Sequence, residues 1–204
     1  MKKIIKHLDL FSGIGGFAYA VDQVWEAEHI FVENDKFCQA VLRKHYPNSE
    51  IYGDIRQFTT DTRRERQEEQ KKQTTRGEQC NSKHKTPHEG EFYDTHAGTI
   101  EKQCINIITG GFPCQPFSQA GRRKGTADDR FLWPEMLRCI REFKPTWVIA
   151  ENVRGLLSIE GGLVFEQVCA DLENIGYEVQ PFIIPAVAVN APHRRDRVWI
   201  VANR

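Results

Sequence analysis

The stretch Ile4–Phe17, IIKHLDLFSGIGGF, sets an apolar run against a glycine-rich turn and then opens a helical pattern. Ile4–Phe11 reads as a first β-strand, Ser12–Gly16 as a turn, and Phe17–Trp25 (FAYAVDQVW) as a first helix. Glycines at 13, 15 and 16 let the backbone approach a ligand closely at the helix N-terminus. The dinucleotide spacing is incomplete, because Ala18 stands at the third glycine position. A tight strand–helix turn without a ligand is the plain alternative for this motif alone.

The same rhythm continues outward. His29–Asn34 reads as a second strand and Asp35–Pro47 as a second helix, capped by Asp35 and ended by Pro47. Ile51–Ile55 is a short third strand and Cys104–Phe112 a fourth. In Phe131–Phe143, Trp133, Met136, Leu137 and Ile140 share one helical face. Thr146–Val153 is a fifth strand, so apolar that burial on both faces is expected. Phe165–Gly176 repeats the helical spacing, and Tyr177–Val189 and Val198–Asn203 flank NAPHRRDR as two closing strands. Strands alternating with helices predict an α/β fold with a mostly parallel sheet. Residues 59–101 break the rhythm with Arg, Lys, Glu, Gln, Thr and His. That segment reads as a polar, disordered insertion, with a charged helical excursion or a nucleic-acid-binding arm as alternatives.

Composition narrows the setting. The 204 residues suit one domain, or one domain with an appendage. Twenty-eight basic residues balance 28 acidic ones, so any nucleic-acid partner must be met by local patches. The six cysteines form no C-x-x-C pair and read as reduced; no metal site is expected. The N-terminal apolar run is too short for a signal peptide and no segment is long enough to span a membrane. A cytoplasmic protein without a membrane partner is expected.

Four further features carry chemistry. Glu33 ends the second strand twenty residues after Gly13, where a carboxylate can accept from ribose hydroxyls. Asp54, at the end of the third strand, is placed to accept from an adenine amino group. In TGGFPCQPFSQAG (Thr109–Gly121), Pro113 stiffens the approach to Cys114 at the end of the fourth strand, and glycines hinge the loop. A thiolate there is a nucleophile candidate, and the basic QAGRRKGTADDR that follows reads as a lid for a phosphate backbone. A proline-stiffened turn with an incidental thiol is the alternative. Glu151 and Asn152 end the fifth strand; if the fourth and fifth strands are adjacent, Glu151 lies beside Cys114 and can donate a proton. A helix-capping Glu-Asn pair is the alternative. Arg195 and Arg197, two apart in an extended segment, point the same way as donors to a base carbonyl or phosphate, unless HRRDR is simply a solvated turn.

The ordered set DLFSGIGGF, VENDKF, GDI, GGFPCQPFS, ENVRGLL and HRRDRVWIV resembles the DNA cytosine-5 methyltransferase family over the whole chain except 59–101. The resemblance implies a Rossmann-like methyltransferase fold closed by an antiparallel hairpin. It implies S-adenosyl-L-methionine held around Phe11, Gly13, Gly15, Glu33, Asn34, Asp54, Ile55 and Pro113. It also implies double-stranded DNA as partner, with Cys114 attacking C6 of a flipped cytosine. Glu151 would engage N3 and the exocyclic amine, Arg195 the cytosine O2, with Arg197 supporting the site.

The family's pattern continues with a target-recognition region and a final helix, whereas this sequence stops at Arg204. The expectation is a truncated or split enzyme, in the latter case paired with a second polypeptide carrying the recognition region. A non-catalytic cofactor- or DNA-binding remnant and an RNA cytosine-5 methyltransferase remain open. A nicotinamide-dependent oxidoreductase is the fold-level alternative, opposed by the missing third glycine and the Cys114 loop.

Overall fold

A computed structural model describes residues 4–81, 104–114 and 131–204. The chain forms two compact units, one made of Met1–Phe58 and Cys104–Arg204 and the other of Thr59–Gln103.

The larger unit is a seven-stranded sheet. Its strands are β1 (Ile5–Leu10), β2 (Ala27–Val32), β3 (Glu50–Tyr52), β4 (Ile107–Gly111), β5 (Trp147–Val153), β6 (Glu178–Pro185) and β7 (Asp196–Asn203). They lie in the order β3-β2-β1-β4-β5-β7-β6. The first five are parallel, and β7 runs antiparallel to both β5 and β6. The expected fold, mostly parallel with a closing antiparallel hairpin, is the one observed. Because sequence order reverses between β1 and β4, the strand ends there border a crevice suited to ligands.

Helices α1 (Gly16–Asp22) and α2 (Lys36–His45) follow β1 and β2; α4 (Trp133–Phe143) and α5 (Leu163–Glu173) flank β5 in sequence. Asp35 caps α2 as expected, its side chain accepting from the Cys38 N–H at 2.8 Å. One sheet face packs Leu8, Leu10, Ile108, Val148, Ala150 and Ile200 against Met136 and Ile140 of α4 and Leu172 of α5. The expected helical face of α4 (Trp133, Met136, Leu137 and Ile140) is buried throughout.

Three expectations need correction. β3 stops at Tyr52, because Asp54 caps a 3-10 turn over Ile55–Gln57 by accepting from the Arg56 N–H at 3.0 Å. β5 is not buried on both faces: Val148, Ala150 and Asn152 are buried, while Trp147 on the other face is 45% exposed. The alternation of a strand sends these residues to opposite faces, and only one carries the α4–α5 layer. The disorder expected from residue 59 onward gives way to a helix, α3 (Thr60–Asn81), within the smaller unit. Its start is fixed by a reciprocal cap. The Thr62 N–H donates to Thr59 Oγ1 at 3.1 Å, and the Thr59 N–H to Thr62 Oγ1 at 2.9 Å. Arg, Glu, Gln and Lys are strong helix formers, so the segment needs no apolar face to be helical. The rest of the expected insertion, residues 82–101, lies outside the described residues, as does the proposed lid at 119–130.

Candidate active site

Two loops leave the same edge of the sheet, since β1 and β4 are parallel neighbours with Leu10 opposite Gly110. The loop after β1 is strained. Phe11, Gly13 and Gly15 have φ of 55°, 53° and 91°. A left-handed phenylalanine is a costly conformation, kept where the surroundings over-determine it. At Gly15 a side chain would meet Leu42 Cδ2 at 3.0 Å, so glycine is required for helix packing; at Gly13 nothing lies within 4 Å, leaving open space over the turn.

Glu33 fixes this loop from β2's end. Its carboxylate accepts from the Gly13 N–H and the Asp35 N–H, both at 2.7 Å. The buried Gln39 side chain donates to the Glu33 carbonyl at 2.6 Å. A carboxylate offers about four acceptor sites, so two remain for the hydroxyls of a ligand. Asn34 beside it is exposed and Asp54 is half-buried. Ile55 is a core residue whose carbonyl accepts from Arg138 Nη2 at 2.7 Å. The crevice thus has acceptors at the ends of β2 and β3 and an open, glycine-lined floor at the end of β1, a donor-poor arrangement that fits a nucleoside's hydroxyls and amino group.

The second loop carries the thiol. Pro113 and Cys114 line a cavity of about 380 Å³ together with Glu151, Asn152, Arg195 and Arg197. Cys114 makes an isolated antiparallel bridge to Phe131, and the Pro113 carbonyl accepts from the Leu132 N–H at 3.3 Å. β4 and β5 are adjacent, as the sequence reading required, with Gly111 opposite Glu151. A side chain at 111 would lie 3.1 Å from Glu151 Oε2, so glycine there makes room for the carboxylate. Antiparallel β7 brings Arg197 opposite Val153, and its Nε sits 2.6 Å from Glu151 Oε1. The thiol is held rather than freely exposed: Cys114 is 8% accessible, and burial pushes it above the ordinary value of 9.0, with the neighbouring Glu151 adding to the shift. In this closed arrangement it is a protonated thiol.

All four residues expected to act on a substrate therefore face one cavity. Asn152 was not among them. It lies within β5 rather than capping a helix, 3% exposed, and donates to the Phe112 carbonyl at 2.9 Å, tying β5 to the thiol-bearing loop. Its place beside Glu151 on a strand, turned to the opposite face, was the available signal. An apolar groove of about 410 Å³, sharing Glu151 with the Cys114 cavity, lies between α1 and the face of β4, β5 and β7, walled by Phe17, Trp25, Thr109, Ile149 and Trp199.

A profile described as C-5 cytosine-specific DNA methylase matches residues 5–75 and 68–204. The chain belongs to that family. It is 30% identical over 199 residues to the type II methyltransferase M.PspPI of Psychrobacter sp., covering 97% of this chain and 39% of that protein. It is 28% identical over 209 residues to the type II methyltransferase M.AquIA of Picosynechococcus sp., of which 72% is covered. Among solved structures, a putative DNA modification methyltransferase encoded within an E. coli prophage superposes with a TM-score of 0.66 at 21% identity, over 98% of this chain and 47% of that one. Spodoptera frugiperda DNMT2 gives 0.66 at 20% identity. These likenesses support the fold. The chain spans less than half the length of M.PspPI and of the prophage protein. Among the described residues no helix is long and apolar enough to cross a membrane, and no group of side chains is placed to hold a metal ion.

Proposed function

We propose that this chain is the cofactor-binding and nucleophile-bearing part of an enzyme that methylates C5 of cytosine in DNA. The observation that carries the reading is the convergence of Cys114, Glu151, Arg195 and Arg197 on one cavity. That cavity lies at the sheet edge from which the Glu33-anchored glycine loop also emerges.

S-adenosyl-L-methionine, when bound, supplies an electrophilic methyl group on a sulfonium. Phe11, Gly13 and Gly15 would shape its seat, the two remaining acceptor sites of Glu33 would take the ribose hydroxyls, and Asn34, Asp54, Ile55 and Pro113 would line the rest. C5 of cytosine is a poor nucleophile, and covalent addition divides one difficult step into easier ones. The Cys114 sulfur would bond to C6 of a flipped-out cytosine, moving electron density onto C5 while Glu151 hydrogen-bonds N3 and the exocyclic amine. Arg195 would hold O2, and Arg197, already ion-paired with Glu151, would orient that carboxyl. C5 would then take the methyl as its bond to the sulfonium breaks and leaves a neutral thioether; loss of the C5 proton to solvent would let the sulfur–C6 bond break and restore Cys114. The buried thiol must lose its proton before attack, so substrate entry has to open or recharge the cavity.

This chain aligns with only 39% of M.PspPI, and we propose that DNA-sequence reading falls to a part of the enzyme outside that aligned span, in a longer polypeptide or a second one. M.AquIA, mostly covered by this chain, shows that relatives of comparable compass occur. The test is trapping. With labelled cofactor and duplex DNA containing 5-fluorocytosine, with and without a recognition-region polypeptide, a denaturation-resistant adduct is expected in at least one pairing and is lost in Cys114→Ser. Absence of an adduct in every pairing would overturn the catalytic reading. Cofactor binding is checked separately by calorimetry. Glu33→Ala should weaken it about tenfold or more, a hydrogen bond to a charged group being worth about 1.5–3 kcal/mol.

A further inference from the structure

Beneath the glycine loop, on the sheet face that carries α1 and α2, a line of polar side chains crosses three strands. Asp22, on α1 and partly exposed, lies 2.8 Å from His29 Nε2. His29 Nδ1 lies 2.8 Å from His7 Nδ1, and His7 Nε2 lies 2.8 Å from Thr109 Oγ1. Thr109 Oγ1 is 2.7 Å from Asp9 Oδ1. Asp9, His7 and Thr109 are fully buried, and Asp9 Oδ2 has no hydrogen-bond partner among the described residues.

We propose that Asp9 is held as a neutral carboxylic acid in the resting fold and exchanges its proton with Asp22 at the surface through Thr109, His7 and His29. The argument is one of donors and acceptors. The Asp22 carboxylate only accepts, so His29 Nε2 carries a hydrogen. Two arrangements then satisfy every remaining link without a doubly protonated His7, which burial and the neighbouring His29 oppose. In one, Asp9 is ionised: Thr109 donates to it, His7 Nε2–H donates to Thr109, and His29 Nδ1–H donates to His7 Nδ1. His29 is then an imidazolium. In the other, Asp9 Oδ1–H donates to Thr109, Thr109 donates to His7 Nε2, and His7 Nδ1–H donates to His29 Nδ1. Every buried group is then neutral. The two differ by one proton handed between Asp9 and His29 along three hydrogen bonds, and the imidazolium's Nε2 hydrogen can then pass to Asp22 along the fourth, with no bond to carbon changed and no electrons exchanged.

The orphaned oxygen decides between them. A buried carboxylate with one oxygen unsolvated is costly, whereas the same oxygen as the carbonyl of an acid is far less so. The surroundings agree. Burial, and then the carboxylate of Glu33 at the end of β2, push Asp9 well above its ordinary value, while its Thr109 bond pulls the other way. Burial, and then His29, push His7 down to about 3. Just past the end of α2, the Tyr46 ring faces His29 at 5.2 Å, and burial and then the neighbouring Asp22 push its hydroxyl above the ordinary value. From α1, Asp22 is joined by Tyr19, which acts on Tyr46. Among these described neighbours no Lys or Arg offsets an ionised Asp9. The chain ends directly under the loop, where Ser12 Oγ donates to the Asp9 carbonyl at 2.6 Å.

The tautomers test this in the unmodified protein. Histidine nitrogen NMR at neutral pH is expected to show His7 protonated on Nδ1 alone and His29 on Nε2 alone. A doubly protonated His29 with His7 protonated on Nε2 would overturn the proposal. Infrared spectra should contain a carboxylic-acid carbonyl band that Asp9→Asn removes; its absence from the native protein is equally fatal. For the path, the deuterium shift of that band should slow in Thr109→Val and not in Thr109→Ser. Equal rates in the two variants would leave no relay through Thr109.

Discussion

The two faces of the sheet are built on opposite principles. On the α4–α5 side, β1, β4, β5 and β7 present aliphatic side chains that reach zero exposure and interlock with Met136, Ile140 and Leu172. On the other side the same strands place His7, Asp9 and Thr109 in a hydrogen-bonded line, and farther along the sheet Ile149 and Trp199 wall an open groove. The apolar face supplies non-directional burial that tolerates no loss of volume. The polar face depends on each donor finding its acceptor. Stability and responsiveness are thereby assigned to different sides of one set of strands, and the reactive loops emerge from the edge they share.

This division predicts a ranking of damage. Leu172→Ala, on the apolar face, removes a fully buried side chain and should cost about 2–5 kcal/mol in urea unfolding, with no dependence on pH. A loss below about 1 kcal/mol would mean that α5 does not seal the core. Thr109→Val keeps the shape but strands His7 Nε2 and Asp9 Oδ1, and should cost about 1–3 kcal/mol per group left unpaired. Thr109→Ser should recover most of that. If serine and valine are equally destabilising, the hydroxyl is not the part of Thr109 that matters.

The sequence exposes the two faces unequally. Alternation and apolar runs locate the strands, and strand ends bring Cys114 and Glu151 together, because a parallel α/β sheet lines up its carboxyl ends. The Glu151–Arg197 ion pair depends on the antiparallel register of β7, which no local pattern states. The polar line is harder still. His7, Asp9, His29 and Thr109 sit singly in apolar runs, and its links join residues up to 102 positions apart. The helix at Thr60–Asn81 was obscured for another reason: a segment without apolar periodicity carries no packing signal, although its cap and its propensities favour a helix. The pattern suggests a longer β3 because apolar Ile55 follows Asp54 in the run from Ile51, while the Asp54 side chain turns the backbone into a 3-10 turn.

The smallest effect separates the faces most cleanly, because it is a slope rather than a loss. Asp9 has a folded value above its ordinary 3.8, so its contribution is fully present below 3.8 and is lost as pH rises through the folded value. His7 has a folded value near 3 against an ordinary 6.5, so burying it neutral contributes stability above 6.5 that is lost as pH falls toward 3. From 3.8 up to 6.5, for as long as Asp9 keeps its proton, the two slopes oppose each other, and over that span the native protein should owe these groups little net change with pH. Asp9→Asn removes one side of the balance. That variant should lose stability more steeply than the native protein as pH falls from 6.5, by up to about 1.4 kcal/mol per pH unit, one proton's worth. Urea midpoints measured across this window read the difference directly. Parallel curves for the two proteins would mean that Asp9 is already ionised, and that the buried face carries a charge which its hydrogen bonds do not balance.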